Sequence, residues 1–266
     1  MAIGFIGFGN MGQALGVSMA QQGGEAIYVA DPNLQEGDLL VNNWPDAIQL
    51  VSSEAVFKQC DLVFLAVKPQ MLTVVSSKIA SYIRPHHVVV SMLAGVSIAQ
   101  LSKELNTNKV VRIMPNTPAM IGKGVTGICF GLHIEDSVKK QVVDRCNQVG
   151  DTIVIEDEFL MHTITALSGS GPAFFYRMVD VFATFATNNG VPKDVAVQSA
   201  ISTMLGSAEM LKRTPNPSAL IDAVTSPNGT TQAGLMAMDR LEFDHTLYSV
   251  LTEAKERSIA LSKGRQ

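Results

Sequence analysis

The sequence carries little charge. Only 17% of its 266 residues are Asp, Glu, Lys or Arg, while 47% are hydrophobic, whereas average soluble chains are roughly 25% charged. The formal net charge is -4, so the chain as a whole does not attract nucleic acid or an anionic membrane. We therefore expect no nucleic-acid or membrane partner, and much buried surface, part of it between subunits.

Cysteines and long apolar runs are scarce as well. The three cysteines have no C-x-x-C spacing, which argues against a disulfide scaffold or a zinc-ribbon site and favours a reduced, cytoplasmic protein. The apolar runs are of strand length, far short of the ~20 residues that cross a bilayer. Lys and Arg are absent from the first 57 residues, so we expect no ordinary signal peptide.

Short apolar segments alternate with segments of helical period through the first 160 residues, which predicts βαβ units and a parallel sheet. The predicted strands are Ile3–Ile6, Ala26–Ala30, Leu62–Val67, Val88–Ser91, Val110–Met114, Val125–Phe130 and Thr152–Ile155. The predicted helices between them are Met11–Gln22, Leu72–Tyr82, Ser97–Leu105 and Asp136–Val149.

After about Met161 the strand signals end, and the apolar residues recur at spacings of three and four. Helices are predicted over Pro172–Asn189 and Lys193–Lys212, from near Thr230, and over Asp244–Ser262. Their Met and Phe positions suit either the domain's own core or an identical surface on a second subunit.

A glycine motif opens the first predicted helix directly after the first strand. Gly7 permits a tight turn, Gly9 lets a pyrophosphate approach the backbone, and Gly12 allows close packing of helix and strand. This strand–turn–helix context predicts dinucleotide binding at a helix N-terminus. We therefore expect an α/β fold in which residues 1–161 form a Rossmann-type doubly wound parallel sheet, followed by an all-α domain over residues 162–266.

An acidic residue follows the second predicted strand. Asp31 stands 22 residues after Gly9, where an aspartate accepts hydrogen bonds from both ribose hydroxyls and repels a 2′-phosphate. Since no Lys or Arg precedes Lys58, these residues favour NADH. Neutral side chains such as Asn33 and Ser53 can also hold a phosphate, so NADPH stays open.

Three further segments follow predicted strands at the edge where ligands of such sheets collect, namely Ala66–Gln70, Ser91–Gly95 and Arg112–Pro118. Asn116 offers neutral hydrogen bonds there, while Lys68 fits either a surface position or a ligand contact. We interpret Arg112, inside an apolar strand, as a structural ion-pair or carbonyl-binding residue and not as a catalyst.

Two segments of the helical half contain glycines and prolines. Leu167–Pro172 suits a hinge and a ligand-lining segment alike. Asp222–Thr231 is a polar loop leading into a helix, where successive amides can bind an anion, most naturally a carboxylate, without a cation. Ordinary helix capping would also explain its Ser and Thr residues.

Five motifs together resemble one family. G-F-I-G-F-G-N-M-G, A-V-K-P-Q, R-I-M-P-N-T-P, L-S-G-S-G-P-A and V-T-S-P-N-G-T-T, in this order, resemble those of pyrroline-5-carboxylate reductases from residue 3 to about residue 262. The resemblance implies a C-terminal helical dimerisation and substrate-binding domain, with active sites completed at the dimer interface. It also implies reduction of 1-pyrroline-5-carboxylate to L-proline with NADPH or NADH, in proline biosynthesis.

The motifs also imply site residues. The cofactor would lie against Ile6, Gly7, Phe8, Gly9, Asn10, Met11, Asp31, Ser53, Ala66, Val67, Lys68, Pro69, Met92, Leu93, Ala94 and Asn116. The substrate would contact Glu158, Asp222, Ser226, Gly229, Thr230 and Thr231, with Thr231 hydrogen-bonding the ring nitrogen as the catalytic residue. Asn228 stands where the family usually has glycine, and because Asn tolerates left-handed backbone we expect the loop conformation to persist.

The expected chemistry needs no nucleophile, metal or strong acid. A cyclic imine becomes electrophilic on protonation, so hydride transfer from nicotinamide C4 to imine C5 depends mainly on positioning. Thr231 would orient the substrate and relay a proton. The five histidines, for which we expect surface or structural roles, are His86, His87, His133, His162 and His245.

Two alternatives remain to be compared. A β-hydroxyacid dehydrogenase-like oxidoreductase should carry a lysine four residues beyond the G-x-G of the domain junction, where this sequence has Phe175. A non-catalytic nucleotide-sensing protein could keep the same fold. It would not need the carboxylate-binding residues Ser226, Gly229, Thr230 and Thr231.

Overall fold

The computed structural model describes residues 2–263 apart from 36–37, 39–40 and 42. The chain divides into two compact units. The first runs to Ser170 and also includes the chain from Ala254 onward, and the second spans Gly171–Glu253. The functional division at residues 161 and 162 into a dinucleotide-binding and a substrate-binding domain stays a prediction.

The first unit contains an eight-stranded sheet. Its strands are β1 Ile3–Ile6, β2 Ile27–Ala30, β3 Ile48–Leu50, β4 Leu62–Leu65, β5 Val88–Ser91, β6 Val110–Met114, β7 Gly124–Phe130 and β8 Gly150–Val154. Their order is β3-β2-β1-β4-β5-β6-β7-β8, and every neighbouring pair is parallel except β6 with β7. The strand order reverses direction at β1 and β4, which places the carboxyl ends of β1, β2 and β4 together at a switch point.

Helices cover both faces of this sheet. They are α1 Asn10–Gly23, α2 Ser53–Gln59, α3 Leu72–Ile79, α4 Ile98–Leu105, α5 Asp136–Asn147 and the short α6 Met161–Ile164. Alternate β4 residues enter opposite cores: Phe64 packs in the cluster that contains Leu15 of α1, and Leu65 in the cluster that contains Leu101 of α4. This burial on both faces explains the unbroken apolar strands.

The second unit is helical. It contains α7 Gly171–Asn188, α8 Lys193–Arg213, α9 Pro217–Val224, α10 Thr230–Arg240 and the first part of α11 Phe243–Lys263. Helices α7 and α8 meet at a small cluster of alanines, Ala183, Ala196 and Ala200. The larger side chains Phe175, Phe182 and Phe185 of α7 are exposed, so the apolar stripe of α7 does not form an internal core.

The predicted fold class is confirmed: a Rossmann-type sheet followed by a helical domain. The sequence pattern does not predict β3, α2, α6 or α9, which have three to eight residues each and therefore only a weak hydrophobic period. It also did not foresee that β7 runs antiparallel to β6. None of the helices in the described ranges is long and apolar enough to cross a bilayer.

Candidate active site

The turn after β1 requires glycine. Gly7 has φ +84°, and a Cβ at this position would lie 2.7 Å from the Val67 side chain and 2.9 Å from the Ala66 carbonyl oxygen. A Cβ at Gly9 would lie more than 4 Å from every described residue other than its two chain neighbours, so no described residue fills the space beside it. Both observations match a backbone turn that a ligand approaches closely.

Helix α1 presents uncapped amides to this open space. Gly9 is its N-cap, no side chain caps the helix, and its first turn holds no acidic residue. The first amides of a helix lack intrahelical acceptors, and the helix dipole adds positive potential there. The turn and helix therefore form an anion cradle suited to the pyrophosphate of a dinucleotide.

Asp31 braces this turn. Its Oδ2 accepts a hydrogen bond from the backbone N–H of Phe8 at 2.7 Å, and its Oδ1 accepts from the backbone N–H and the side-chain amide of Asn33 at 2.9 and 3.1 Å. Since each carboxylate oxygen has about two acceptor sites, about one remains for a ligand. Bidentate contact with a ribose would require Asp31 to give up one of its own partners.

A cavity of about 320 Å³ lies beside Asp31. Five of the predicted cofactor residues line it: Ile6, Gly7, Asp31, Ser53 and Val67. Lys78 of α3 lines it too, and sequence analysis missed this residue because it stands far from Asp31 along the chain. The sequence does indicate that Lys78 shares a helix face with other residues of the cavity. The i, i+3, i+4, i+7 spacing places it on one face with Met71, Val74 and Val75.

Apart from Phe8, whose side chain is buried, and Asn10 and Met11 at the start of α1, the other predicted cofactor residues follow β4, β5 and β6. Lys68 is exposed ahead of the 3-10 turn Pro69–Met71, and Leu93 is fully buried between the half-buried Met92 and Ala94. Asn116 is buried, and its amide donates to the Ser168 carbonyl oxygen at 3.0 Å and accepts from Val125 N–H at 2.8 Å. These bonds give Asn116 a bracing role, and its cofactor contact stays a prediction.

Arg112 forms the structural ion pair that the sequence indicated. Its guanidinium is 2% exposed, and its Nη1 donates to Glu158 Oε1 at 2.8 Å. The same oxygen accepts the Ile98 N–H at 2.9 Å, so Glu158 joins β6 to the start of α4. Glu158 lies in the first unit, and its predicted contact with substrate stays a prediction.

The polar loop of the second unit is shorter than expected. Asp222 belongs to the last turn of α9, so the loop spans residues 225–229. Asn228 adopts left-handed backbone at φ +59°, as predicted, and its N–H donates to Gln232 Oε1 at 2.7 Å. Gly229 closes the turn by donating to the Ser226 carbonyl oxygen at 3.0 Å, and a Cβ there would clash with the Ser226 side chain.

Helix α10 therefore begins with a second anion cradle. Gly229 is its N-cap, no side chain caps it, and its first turn holds no acidic residue. The hydroxyls of Thr230 and Thr231 form no hydrogen bond with any residue in the described ranges. Free amides beside free hydroxyls suit a carboxylate with a neighbouring polar group.

The cysteines are unsuited to nucleophilic catalysis. All three are buried and unpaired, and burial raises the pKa of Cys60 and Cys146 to about 12 and that of Cys129 to about 11. Because the thiolate is the reactive form, these side chains are inert at neutral pH.

One group within the described residues brings potential metal ligands together: Asp61, His86 and His87, with ligand atoms within 4.8 Å of one another. His87 Nδ1 accepts the Arg84 N–H at 2.8 Å, and its Nε2 lies 2.8 Å from the Phe57 carbonyl oxygen. Both nitrogens of this buried ring are thus engaged by backbone, as expected for a structural histidine.

Comparisons with known proteins agree with this geometry. The family model of pyrroline-5-carboxylate reductase dimerisation matches residues 158–261, and that of NADP oxidoreductase, coenzyme F420-dependent, matches residues 2–95. Pyrroline-5-carboxylate reductase of Pasteurella multocida is 34% identical over 97% of both chains.

Two solved structures cover 98% of this chain and 98% of their own chains. They are a pyrroline-5-carboxylate reductase from Coxiella burnetii, with a TM-score of 0.89 and 28% identity, and the Plasmodium falciparum enzyme with NADP bound, with a TM-score of 0.87 and 28% identity. Because it has the glycine turn and the second anion cradle, and because its relatives match it over nearly its full length, the chain belongs to the pyrroline-5-carboxylate reductase family.

Proposed function

We propose that this chain is an NAD(P)H-dependent reductase that converts 1-pyrroline-5-carboxylate to L-proline. Its two anion cradles bind the ligands, and Thr231 is its catalytic residue. One cradle is the uncapped N-terminus of α1, next to the open space at Gly9. The other is the uncapped N-terminus of α10. They match the two anionic groups of this reaction, the pyrophosphate of the dinucleotide and the carboxylate of the imino acid.

The reduced nicotinamide supplies the hydride, and the chain binds and orients the dinucleotide. The amides of α1 hold the pyrophosphate, and Gly7 and Gly9 keep the backbone clear for it. Ile6, Ser53 and Val67 line the cavity that takes the adenosine end. The segments after β4 and β5, Ala66–Pro69 and Met92–Ala94, stand at the edge of the sheet where the remainder of the ligand would lie.

The loop before α10 orients the imino acid. The amides of Thr230 and Thr231 at the N-terminus of α10 bind the carboxylate, while Gly229 and Ser226 hold the turn through their own hydrogen bond. The Thr231 hydroxyl, which has no partner among the described residues, hydrogen-bonds the ring nitrogen. A threonine hydroxyl is too weak an acid to protonate the imine alone, so Thr231 acts by orientation and proton relay.

The second unit supports self-association as a homodimer or a higher homo-oligomer. Phe182 and Phe185 on α7 are 62% and 70% exposed, and Leu205 on α8 is 61% exposed. Several large apolar side chains exposed on two helices that pack together support a protein interface. A match to a dimerisation domain over residues 158–261 supports a second copy of this chain as the partner. The location proposed for this assembly is the cytoplasm.

The observation that carries the reductase assignment is the uncapped α10 N-terminus with its free Thr231 hydroxyl. The test follows NADPH and NADH absorbance after addition of 1-pyrroline-5-carboxylate, with L-proline measured as the product. We expect oxidation that depends on the imino acid. Absence of turnover with both coenzymes would overturn the assignment, and coenzyme binding without turnover would favour the nucleotide sensor.

A matched incubation separates the hydroxyacid alternative. The protein with NAD⁺ and 3-hydroxyisobutyrate should give no reduction of the coenzyme, because Phe175 occupies the position where a catalytic lysine is expected. Reduction at a rate comparable to imine turnover would contradict the proposal.

A further inference from the structure

Few of the described residues that line the adenosine cavity beside β2 are charged. Among those residues, only Asp31 and Lys78 carry charge. The remaining lining is apolar, including Val67, Val74 and Ile79, or consists of small polar groups such as Ser53. A flat purine suits the apolar part of such a wall, and the two charged groups then determine what the ribose can carry.

The Asp31 carboxylate is already hydrogen-bonded within the protein. It accepts three hydrogen bonds, from Phe8 N–H and from two donors of Asn33. These donors partly satisfy its negative charge and leave about one acceptor position. Asp31 can therefore accept a hydrogen bond from only about one ribose hydroxyl, and its repulsion of a 2′-phosphate is reduced.

Lys78 has no binding partner among the described residues. Its side chain is exposed at the end of α3, and it forms no ion pair or hydrogen bond with any residue that the structure describes. The Ser53 hydroxyl, on the same cavity, also has no partner in the described part of the chain. A free ammonium and a free hydroxyl on one wall are donors that suit a phosphate.

We infer that Lys78 is a cofactor-specificity residue, which pairs with the 2′-phosphate of NADPH together with the Ser53 hydroxyl. The cation absent from the segment after β2 is supplied instead by α3. This inference rests on the proposed function, since it takes the cavity as the adenosine end of the dinucleotide site. It assigns the chain a preference for NADPH over NADH.

Steady-state kinetics tests the role of Lys78. In Lys78→Gln we expect kcat/KM for NADPH to fall about tenfold, the lower end of what a hydrogen bond between charged groups contributes. The value for NADH should stay within about twofold. Lys58→Gln is the matched control, because Lys58 is exposed on the neighbouring α2, pairs with Glu54 and does not line the cavity.

A binding measurement makes the test independent of turnover. By calorimetry the wild-type chain should bind adenosine 2′,5′-bisphosphate more tightly than 5′-AMP, and Lys78→Gln should lose most of that difference. Equal binding of the two nucleotides by the wild type, or an equal fall in kcat/KM for both coenzymes in the variant, would overturn the inference. Failure of the reductase assignment has a different signature: no imine turnover with intact nucleotide discrimination.

Discussion

The backbone N–H of Phe8 donates a hydrogen bond to Asp31 Oδ2 at 2.7 Å. This bond ties the glycine turn after β1 to the residue that follows β2, at the switch point of the sheet. Hydrogen bonds to charged groups contribute about 1.5–3 kcal/mol. The acid that sequence reasoning assigned to ribose recognition therefore also fixes the turn that receives the pyrophosphate.

Replacing Asp31 by Asn should weaken binding of both coenzymes. An Asn side chain has one acceptor oxygen, so it loses either the Phe8 or the Asn33 bonds, and the glycine turn loosens. We expect the KM values for NADPH and NADH to rise together by about tenfold, consistent with loss of one such bond, while kcat changes little. Steady-state kinetics with each coenzyme is the measurement.

Asp61→Asn is the matched control for this variant, because Asp61 is an exposed carboxylate just ahead of β4. It should leave both KM values unchanged. A rise confined to NADH in Asp31→Asn would show that the carboxylate reads the ribose directly and does not act through the turn.

Removal of the Thr231 hydroxyl should slow the reaction. We expect Thr231→Ala to lower kcat by about ten- to hundredfold, since a positioned proton-transfer group contributes at least this much, and Thr231→Ser to keep most of the activity. Thr252→Ala is the control, because Thr252 is a half-buried threonine of α11 whose hydroxyl donates to the Tyr248 carbonyl oxygen of its own helix. Full activity of Thr231→Ala at saturating substrate would refute the assignment.

The sequence was informative where function depends on backbone. Gly7 was identified from the spacing of the glycine motif and Gly229 from the family resemblance, and at both positions a turn of positive φ or a close contact needs a residue without Cβ. The same holds for Asn228, whose left-handed conformation follows from a local preference. The buried strands were also predictable, because they are continuous apolar runs.

The sequence was less informative where distant segments meet. Lys78 reaches the adenosine cavity only because α3 follows β4, which lies next to β1 in the sheet. Likewise, the engagement of Asp31 by Phe8 and of Glu158 by Arg112 depends on tertiary contacts. Residue type and spacing singled out Asp31 and Arg112, and the family resemblance singled out Glu158, whereas their partners and the role of Lys78 required the three-dimensional structure.

The left-handed residue in the substrate loop gives a prediction about backbone strain. Asn228→Val should raise the KM for 1-pyrroline-5-carboxylate about tenfold, because a β-branched residue at φ +59° is strained. Asn228→Gly should keep the KM within about threefold. Asn106→Val is the control: Asn106 is also left-handed, at φ +50°, but ends α4. It should lower stability without changing this KM, and an unchanged KM in Asn228→Val would contradict the role of the loop.

Acidification should destabilise the chain partly through His87. Burial lowers the pKa of His87 below its usual value, and His86, Asp61 and Arg84 are the charged groups around it. His87 takes up a proton near pH 6.5 in the unfolded chain and only at lower pH in the folded chain. Its contribution to the free energy of unfolding is therefore constant above this pH and falls below it. Protonation would also remove the Nδ1 acceptor of Arg84 N–H.

Urea unfolding at about pH 7.5 and about pH 5.5 measures this effect. His87→Gln should reduce the loss of unfolding free energy between the two conditions. Part of the loss should remain, because burial also lowers the pKa of His162. His133→Gln, at an exposed histidine, should behave as the wild type. An identical pH dependence in His87→Gln and wild type would exclude His87 as a source.

The exposed aromatic face of α7 predicts the oligomeric state. Phe182→Asp combined with Phe185→Asp places two charges where the proposed subunit contact must exclude water, and burying an unpaired charge is strongly unfavourable. Because both phenylalanines are largely exposed in the single chain, the variant should still fold. In sedimentation we expect the wild type as a dimer or larger and the double variant as a monomer. Asp180→Ala, at an exposed position of the same helix, should sediment as the wild type, whereas an unchanged assembly in the double variant would place the interface elsewhere.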